Sequence, residues 1–160
     1  MNNMPQQTTD KTHFYKELKK QASALFEGES DLIAQTANLS ALLWYSLPDI
    51  NWVGFYFYKN GELVLGPFQG KPACVRIKPG QGVCGTAFQN QKTFCVDDVH
   101  AFEGHIACDP DSRSEIVIPF FVNHTCKGVL DIDSPLIKRF NKEDQIGLEH
   151  IVRSLEENIR

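Results

Sequence analysis

The chain has 160 residues, 42% of them apolar and 22% charged, with a formal net charge of -4. Those proportions exclude a disordered chain and leave enough length for one well-filled core, while the lack of a basic surplus argues against nucleic acid and anionic membrane surfaces as partners. No apolar run approaches the ~18–20 residues of a membrane helix and the polar start, Met1-Asn2-Asn3-Met4-Pro5-Gln6-Gln7, is no signal peptide, so the five cysteines are expected in a reducing cytosol and not as a structural disulfide framework.

Residues 1–10 are polar and aperiodic and read as a flexible tail, leaving 11–160 as a single domain. From Lys11 to Phe26, the apolar residues Phe14, Leu18, Ala22 and Leu25/Phe26 recur at helical spacing. Ser30 or Asp31 is placed to cap a second helix carrying Leu32, Ile33, Leu39, Leu42 and Leu43, which Pro48 closes. Ile50 to Tyr58 is aromatic and β-branched, as a strand would be. Asn60-Gly61 suits a two-residue turn in which both positions need positive φ, and Leu63 to Phe68 is then the antiparallel partner. Pro72 to Ile77 reads as a short further strand, Gln81 to Phe88 as the start of a short helix, and Thr93 to Val96 as a brief extended run. From Asp97 to Ser114 the residues turn polar and aperiodic, giving a connection of the length usually found in lids and binding loops. Ile116 to Val122 is a strand, Asn123-His124 its turn and Cys126 to Asp133 its hairpin partner. Asn141 caps a last helix bearing Ile146, Ile151, Val152, Leu155 and Ile159. The order predicts an α+β fold, a central, mostly antiparallel sheet with helices packed on it.

The residues able to carry chemistry crowd the stretch from Cys74 to Asp133. Cys108 lies in a polar loop with His105, Asp109, Pro110 and Asp111, the partly exposed setting of a reactive thiol rather than of core filler. Its acidic neighbours would raise the thiol pKa, so a thiolate needs help from His105, Arg113, a helix N-terminus or bound substrate. A redox cysteine also needs a resolving thiol. Cys74, after Pro72 at a strand edge, is better placed than Cys84 to reach a loop across a pocket. Cys84 is equally readable as a residue packed at a helix start. Cys95 and Cys126 fall in strand-like runs and are expected to be core. Asp131 and Asp133 sit two apart on one strand, hence on one face, with Leu130 and Ile132 on the other. Adjacent aspartates in a strand repel, and a ligand cation such as an ammonium would relieve this; Glu115, at the start of the neighbouring strand, can join them. Trp52 is either core or the wall of a small apolar pocket. His100, His105 and Cys108 match no standard zinc spacing, so no metal is expected.

Taken together, Asn51-Trp52-Val53-Gly54-Phe55-Tyr56, Pro72-Ala73-Cys74-Val75-Arg76-Ile77, Gly82-Val83-Cys84-Gly85-Thr86, Asp97-Asp98-Val99-His100, Gly104-His105-Ile106-Ala107-Cys108-Asp109, Ser114-Glu115-Ile116-Val117-Ile118-Pro119 and Gly128-Val129-Leu130-Asp131-Ile132-Asp133-Ser134 resemble the free methionine-(R)-sulfoxide reductases, stand-alone GAF-domain enzymes, over essentially the whole chain. The resemblance implies a GAF fold with helices on one face of the sheet and a ligand pocket on the other. It implies Cys108 as catalytic cysteine, Cys74 as main resolving cysteine and Cys84 as a third, secondary one. It further implies Glu115, Asp131 and Asp133 as substrate-binding acids and Trp52 beside the substrate methyl group. Free methionine-(R)-sulfoxide would be the substrate, no cofactor would be bound, thioredoxin would be the external reductant and the chain would form a homodimer. The alternative is a GAF module that binds a small molecule without turning it over.

Overall fold

The computed structural model describes residues 11–106 and 108–159; the expected tail at 1–10 lies outside them. The chain runs α1 (Lys11–Phe26), α2 (Leu32–Ser46), β1 (Trp52–Lys59), β2 (Glu62–Gly70), β3 (Arg76–Ile77), α3 (Gly82–Asn90), β4 (Phe94–Val96), a 3-10 turn at Val99–Ala101, β5 (Ser114–Val122), β6 (Thr125–Ser134) and α4 (Lys142–Asn158). The six strands form one sheet in the order β3-β2-β1-β6-β5-β4, and every neighbouring pair is antiparallel.

Alternation along the central strands sorts side chains onto two faces. Val53, Phe55 and Phe57 of β1, Ile116, Ile118 and Phe120 of β5, and Leu130 and Ile132 of β6 meet α1, α2 and α4 in the main core. Trp52, Tyr56, Val117 and Val129 face the other way, where α3 supplies Val83, Cys84 and Ala87 to a smaller core. The pocket lies on this second face, so a site residue on β1, β5 or β6 must sit out of phase with the main core.

The helices are held by few but specific polar contacts. Asp31, the second of the two expected caps, accepts from the Ala34 N–H at 2.9 Å. Asn141 and Asp144 form a reciprocal capping box at the start of α4. Asp144 is almost fully buried, and it also accepts from Tyr15 Oη (2.7 Å), Lys11 Nζ (2.8 Å) and Arg139 (3.4 Å), tying α1 to α4. The β1–β2 turn has Asn60 and Gly61 at φ of 52° and 90°, as the Asn-Gly pair predicts.

Two expectations are corrected. Pro72 to Ile77 is not a strand throughout: only Arg76–Ile77 pairs with β2. Pro72 has no N–H to give to a ladder, and the carbonyls that follow are taken individually, that of Cys74 by Tyr56 Oη (2.8 Å) and that of Val75 by the Leu65 N–H (2.9 Å). Cys95 is exposed, not core. β4 is a three-residue strand at the edge of the sheet, so little covers it, and the Cys95 thiol donates to the Phe140 carbonyl at 3.3 Å. Cys126 is buried, as its strand context predicts.

Candidate active site

Strand register assembles the acids. β5 and β6 pair with Glu115 opposite Asp133 and Val117 opposite Asp131. Glu115 and Asp131 are 7% and 5% exposed, and Asp133 is half-buried beside them. Cys84, in the first turn of α3, brings its sulfur to 3.9 Å from Glu115 Oε2. Trp52 on β1, paired with Asp133, and Tyr56 two repeats of the pleat further on, paired with Val129, build the adjoining wall. The Trp52 ring stacks between Tyr56 (5.9 Å between centroids) and Phe68 (5.3 Å), and its N–H donates to the Lys71 carbonyl at 3.1 Å. An aromatic wall thus stands against an acidic floor.

The loop between β4 and β5 closes this pocket. Cys108 is bonded to Cys74, 34 residues earlier, with a Cα–Cα distance of 5.7 Å. The loop is fastened just after that bridge. Asn51 Nδ2 donates to Asp109 Oδ2 at 3.0 Å and to Ser112 Oγ at 3.1 Å, while its own N–H donates to the Asp133 carbonyl at 2.9 Å. Lys71 pairs with Asp111 at 2.9 Å, and the Arg113 N–H donates to the Ser134 carbonyl at 2.7 Å. With the bridge formed, the cavity between Trp52, Cys84, His105, Cys108, Glu115 and Asp131 is about 40 Å³, room for roughly three waters.

Burial dominates the electrostatics. It raises the pKa of Asp131, reinforced by Asp133, and that of Glu115, reinforced by Asp131. Asp133 is raised by burial and then by Glu115. The Cys84 thiol is pushed well up by burial and by Asp131 and Glu115, which favours the neutral thiol. The three carboxyls are close enough to hydrogen-bond one another, and carboxyls do so only when a proton is shared among them. One oxygen each of Asp131 and Asp133 is buried without a hydrogen-bond partner among the described residues. Such a floor suits a ligand that brings several N–H donors and a positive charge. His105 lines the same cavity, and burial together with His100, whose ring lies 6.2 Å away, holds its pKa down.

Every residue expected from the sequence to belong to the site, Trp52, Cys74, Cys84, Cys108, Glu115, Asp131 and Asp133, lies at this pocket or in the bridge that closes it. Tyr56 and Asn51 were not singled out. Tyr56 shares the Trp52 face by the period of two, a signal masked by a strand that is aromatic throughout. Asn51 acts through a loop fifty-eight residues away in the chain, which no local pattern reveals. The His100, His105 and Cys108 trio offers no thiolate ligand while Cys108 is bridged. Cys84, Glu115 and Asp131 do bring one ligand atom each within 4.8 Å of one another, but could hold a metal ion only after giving up protons that burial favours keeping.

An antiparallel sheet with helices behind and a loop-covered pocket in front is the arrangement of a GAF domain, and the GAF domain model matches residues 22–159. Within that class, the chain belongs to the free methionine-R-sulfoxide reductase family. It is 53% identical to the Escherichia coli free methionine-R-sulfoxide reductase over 92% of this chain and 89% of that protein. Among solved structures it resembles fRMsr of Staphylococcus aureus in complex with substrate, at 53% identity, 91% and 95% coverage and a TM-score of 0.88. It also resembles the free methionine-R-sulfoxide reductase of Neisseria meningitidis in complex with its substrate, at 42% identity, 93% and 90% coverage and a TM-score of 0.89.

Proposed function

We propose that the chain reduces free L-methionine (R)-sulfoxide to methionine by cysteine chemistry. The observation that carries this reading is the Cys74–Cys108 bridge lying directly over a pocket floored by buried acids. In the reduced protein the substrate ammonium is held by the acids and its methyl group rests on Trp52. The Cys108 thiol loses its proton and its sulfur bonds to the sulfoxide sulfur, while a carboxyl kept protonated by burial, Glu115 or Asp133, protonates the sulfoxide oxygen. The S–O bond then breaks and the hydroxyl passes to the Cys108 sulfur as the bond between the two sulfurs opens, so methionine leaves and Cys108 becomes a sulfenic acid. Cys74 attacks that sulfur, water departs, and the disulfide forms. Cys84 has a secondary part in regeneration: its thiol is held neutral and deep, so it serves as a reserve and not as the first resolver. A thioredoxin returns the two electrons, and no bound cofactor is required.

Selectivity for the free amino acid follows from the floor. A methionine sulfoxide inside a peptide has no ammonium, so it would leave the buried carboxyls unpaired. The chain works in the cytoplasm; no helix among the described residues is long and apolar enough to cross a membrane. It acts as a homodimer through α2, which has no charged residue and exposes Ile33, Trp44 and Tyr45. Light scattering tests that assembly. For the activity itself, reduced protein is given each epimer of free methionine sulfoxide with thioredoxin. Consumption of the R epimer alone is expected, and turnover of neither epimer would sink the reading.

A further inference from the structure

Two donors on the aromatic wall reach the segment that carries Cys74. Trp52 and Tyr56 lie four apart on β1, so they share a face, and their rings stack at 5.9 Å between centroids. The Trp52 indole N–H donates to the Lys71 carbonyl at 3.1 Å, and Tyr56 Oη donates to the Cys74 carbonyl at 2.8 Å. Strand pairing with β2 begins only at Arg76, and just ahead of it the Leu65 N–H donates to the Val75 carbonyl at 2.9 Å. The carbonyl of residue 74 is thus tied to the sheet by a side-chain hydroxyl and not by a ladder. Its Cα lies 5.7 Å from that of Cys108. Tyr56 is 2% exposed, and burial, followed by the charge of Asp131, keeps its phenol protonated and so a donor. The bond ends on a backbone carbonyl, so it does not require the Cys74 sulfur to be in a bridge.

Taking Cys74 as the resolving thiol, as proposed above, we infer that Tyr56 is a positioning residue for bridge closure: its hydroxyl holds the Cys74 backbone where that sulfur reaches the oxidised Cys108. In the step it serves, the Cys74 thiol gives up its proton and its sulfur bonds to the Cys108 sulfur. The S–O bond of the sulfenic acid breaks, and the hydroxyl leaves with that proton as water. Without the tyrosine hydroxyl, a segment entered through Pro72, which has no N–H to give, can swing away from Cys108. The effective concentration of its thiol then falls, and a sulfenic acid left waiting is open to further oxidation. Tyr56→Phe keeps the ring that stacks on Trp52 and removes only the oxygen.

The test uses the full reduced chain, given free methionine (R)-sulfoxide without a reductant and quenched over time. Methionine release and closure of the bridge between residues 74 and 108 are followed separately, the second by mass spectrometry of alkylated digests. A 1,3-dione captures sulfenic acid on Cys108. In Tyr56→Phe the ratio of closure rate to release rate should fall about tenfold, the effect of one lost hydrogen bond on a reacting pair, and captured sulfenic acid should rise. Equal slowing of both steps, or slowing of neither, overturns the inference. Cys74→Ser supplies the control for a general loosening of the site. With no thiol at position 74 to place, the sulfenic acid should live equally long with and without the added Tyr56→Phe change; a different lifetime overturns the inference. A parent chain that releases methionine beside an unchanged ratio sinks the placement alone, whereas one that releases none removes the proposed reaction and the inference with it.

Discussion

Asp131 is 5% exposed with one carboxylate oxygen unpartnered, so in the ligand-free chain it opposes folding while it waits for a cation. Its pKa, and those of Glu115 and Asp133, are raised in the folded state. For an acid shifted upward, the protonated form carries the stability. The contribution is complete below the unfolded value of about 4 and is lost as pH rises through the folded value. Asp131→Asn should therefore raise the stability of the ligand-free protein at pH 8 by about 1–2 kcal/mol and flatten the decline between pH 5 and 8. It should also abolish saturation by the sulfoxide. Thermal melts across that range check the first part, and parallel declines in parent and variant would contradict it. At the cysteines, Cys108→Ser should show no turnover. Cys74→Ser should release about one methionine per chain and then stall, unless Cys84 takes over, which quenched single-turnover assays would reveal. These residues were legible because thiols and paired aspartates are unusual in their local settings. Tyr56 was not, since a tyrosine among aromatics carries no mark of where its hydroxyl goes.

At the level of elements, two short polar residues join parts far apart in the chain. Asn51, just before β1, links the Asp133 backbone to the loop carrying Cys108. Asn51→Ala would strip that loop of two hydrogen bonds. The expected cost in global stability is about 1–2 kcal/mol, with kcat falling about tenfold because thiol and acid floor lose their common register. A variant with normal kcat would show that the loop is positioned by its other contacts alone. Asp144 does the same work at the back of the sheet. Burial tends to raise its pKa, but bonds from Lys11, Tyr15 and Asn141 and the charge of Arg139 outweigh this and hold it low. Its stabilisation is thus present above about pH 4 and lost as pH falls through the lowered folded value. Asp144→Ala should cost about 3 kcal/mol, since it strands the largely buried Arg139 and removes half of the capping box of α4, and denaturant melts check it. The helix caps and the Asn60-Gly61 turn could be read from the chain because they depend on adjacent residues. Where Pro72 ends pairing and why Cys95 is wet could not, because both are set by which strand lies at the edge.

For the molecule as a whole, period-two alternation defines two cores on opposite faces of one sheet, and the sequence pattern was sufficient to place the acids on the face that the three packed helices leave free. What it could not convey is the state of the pocket, which depends on a bond between residues 34 apart. That bond draws the loop and the Cys74 segment together over the pocket. Free methionine (R)-sulfoxide should therefore raise the melting temperature of the reduced protein more than that of the bridged protein; equal shifts in both forms would show that the bridge does not hinder entry.

A bridge that ties up the pocket's own sulfur has a consequence for flux under oxidative load. Because Cys108 is spent in that bridge, sulfoxide meeting this form finds no thiol to oxidise. Throughput at high sulfoxide is then governed by how fast electrons arrive, and rises with donor supply.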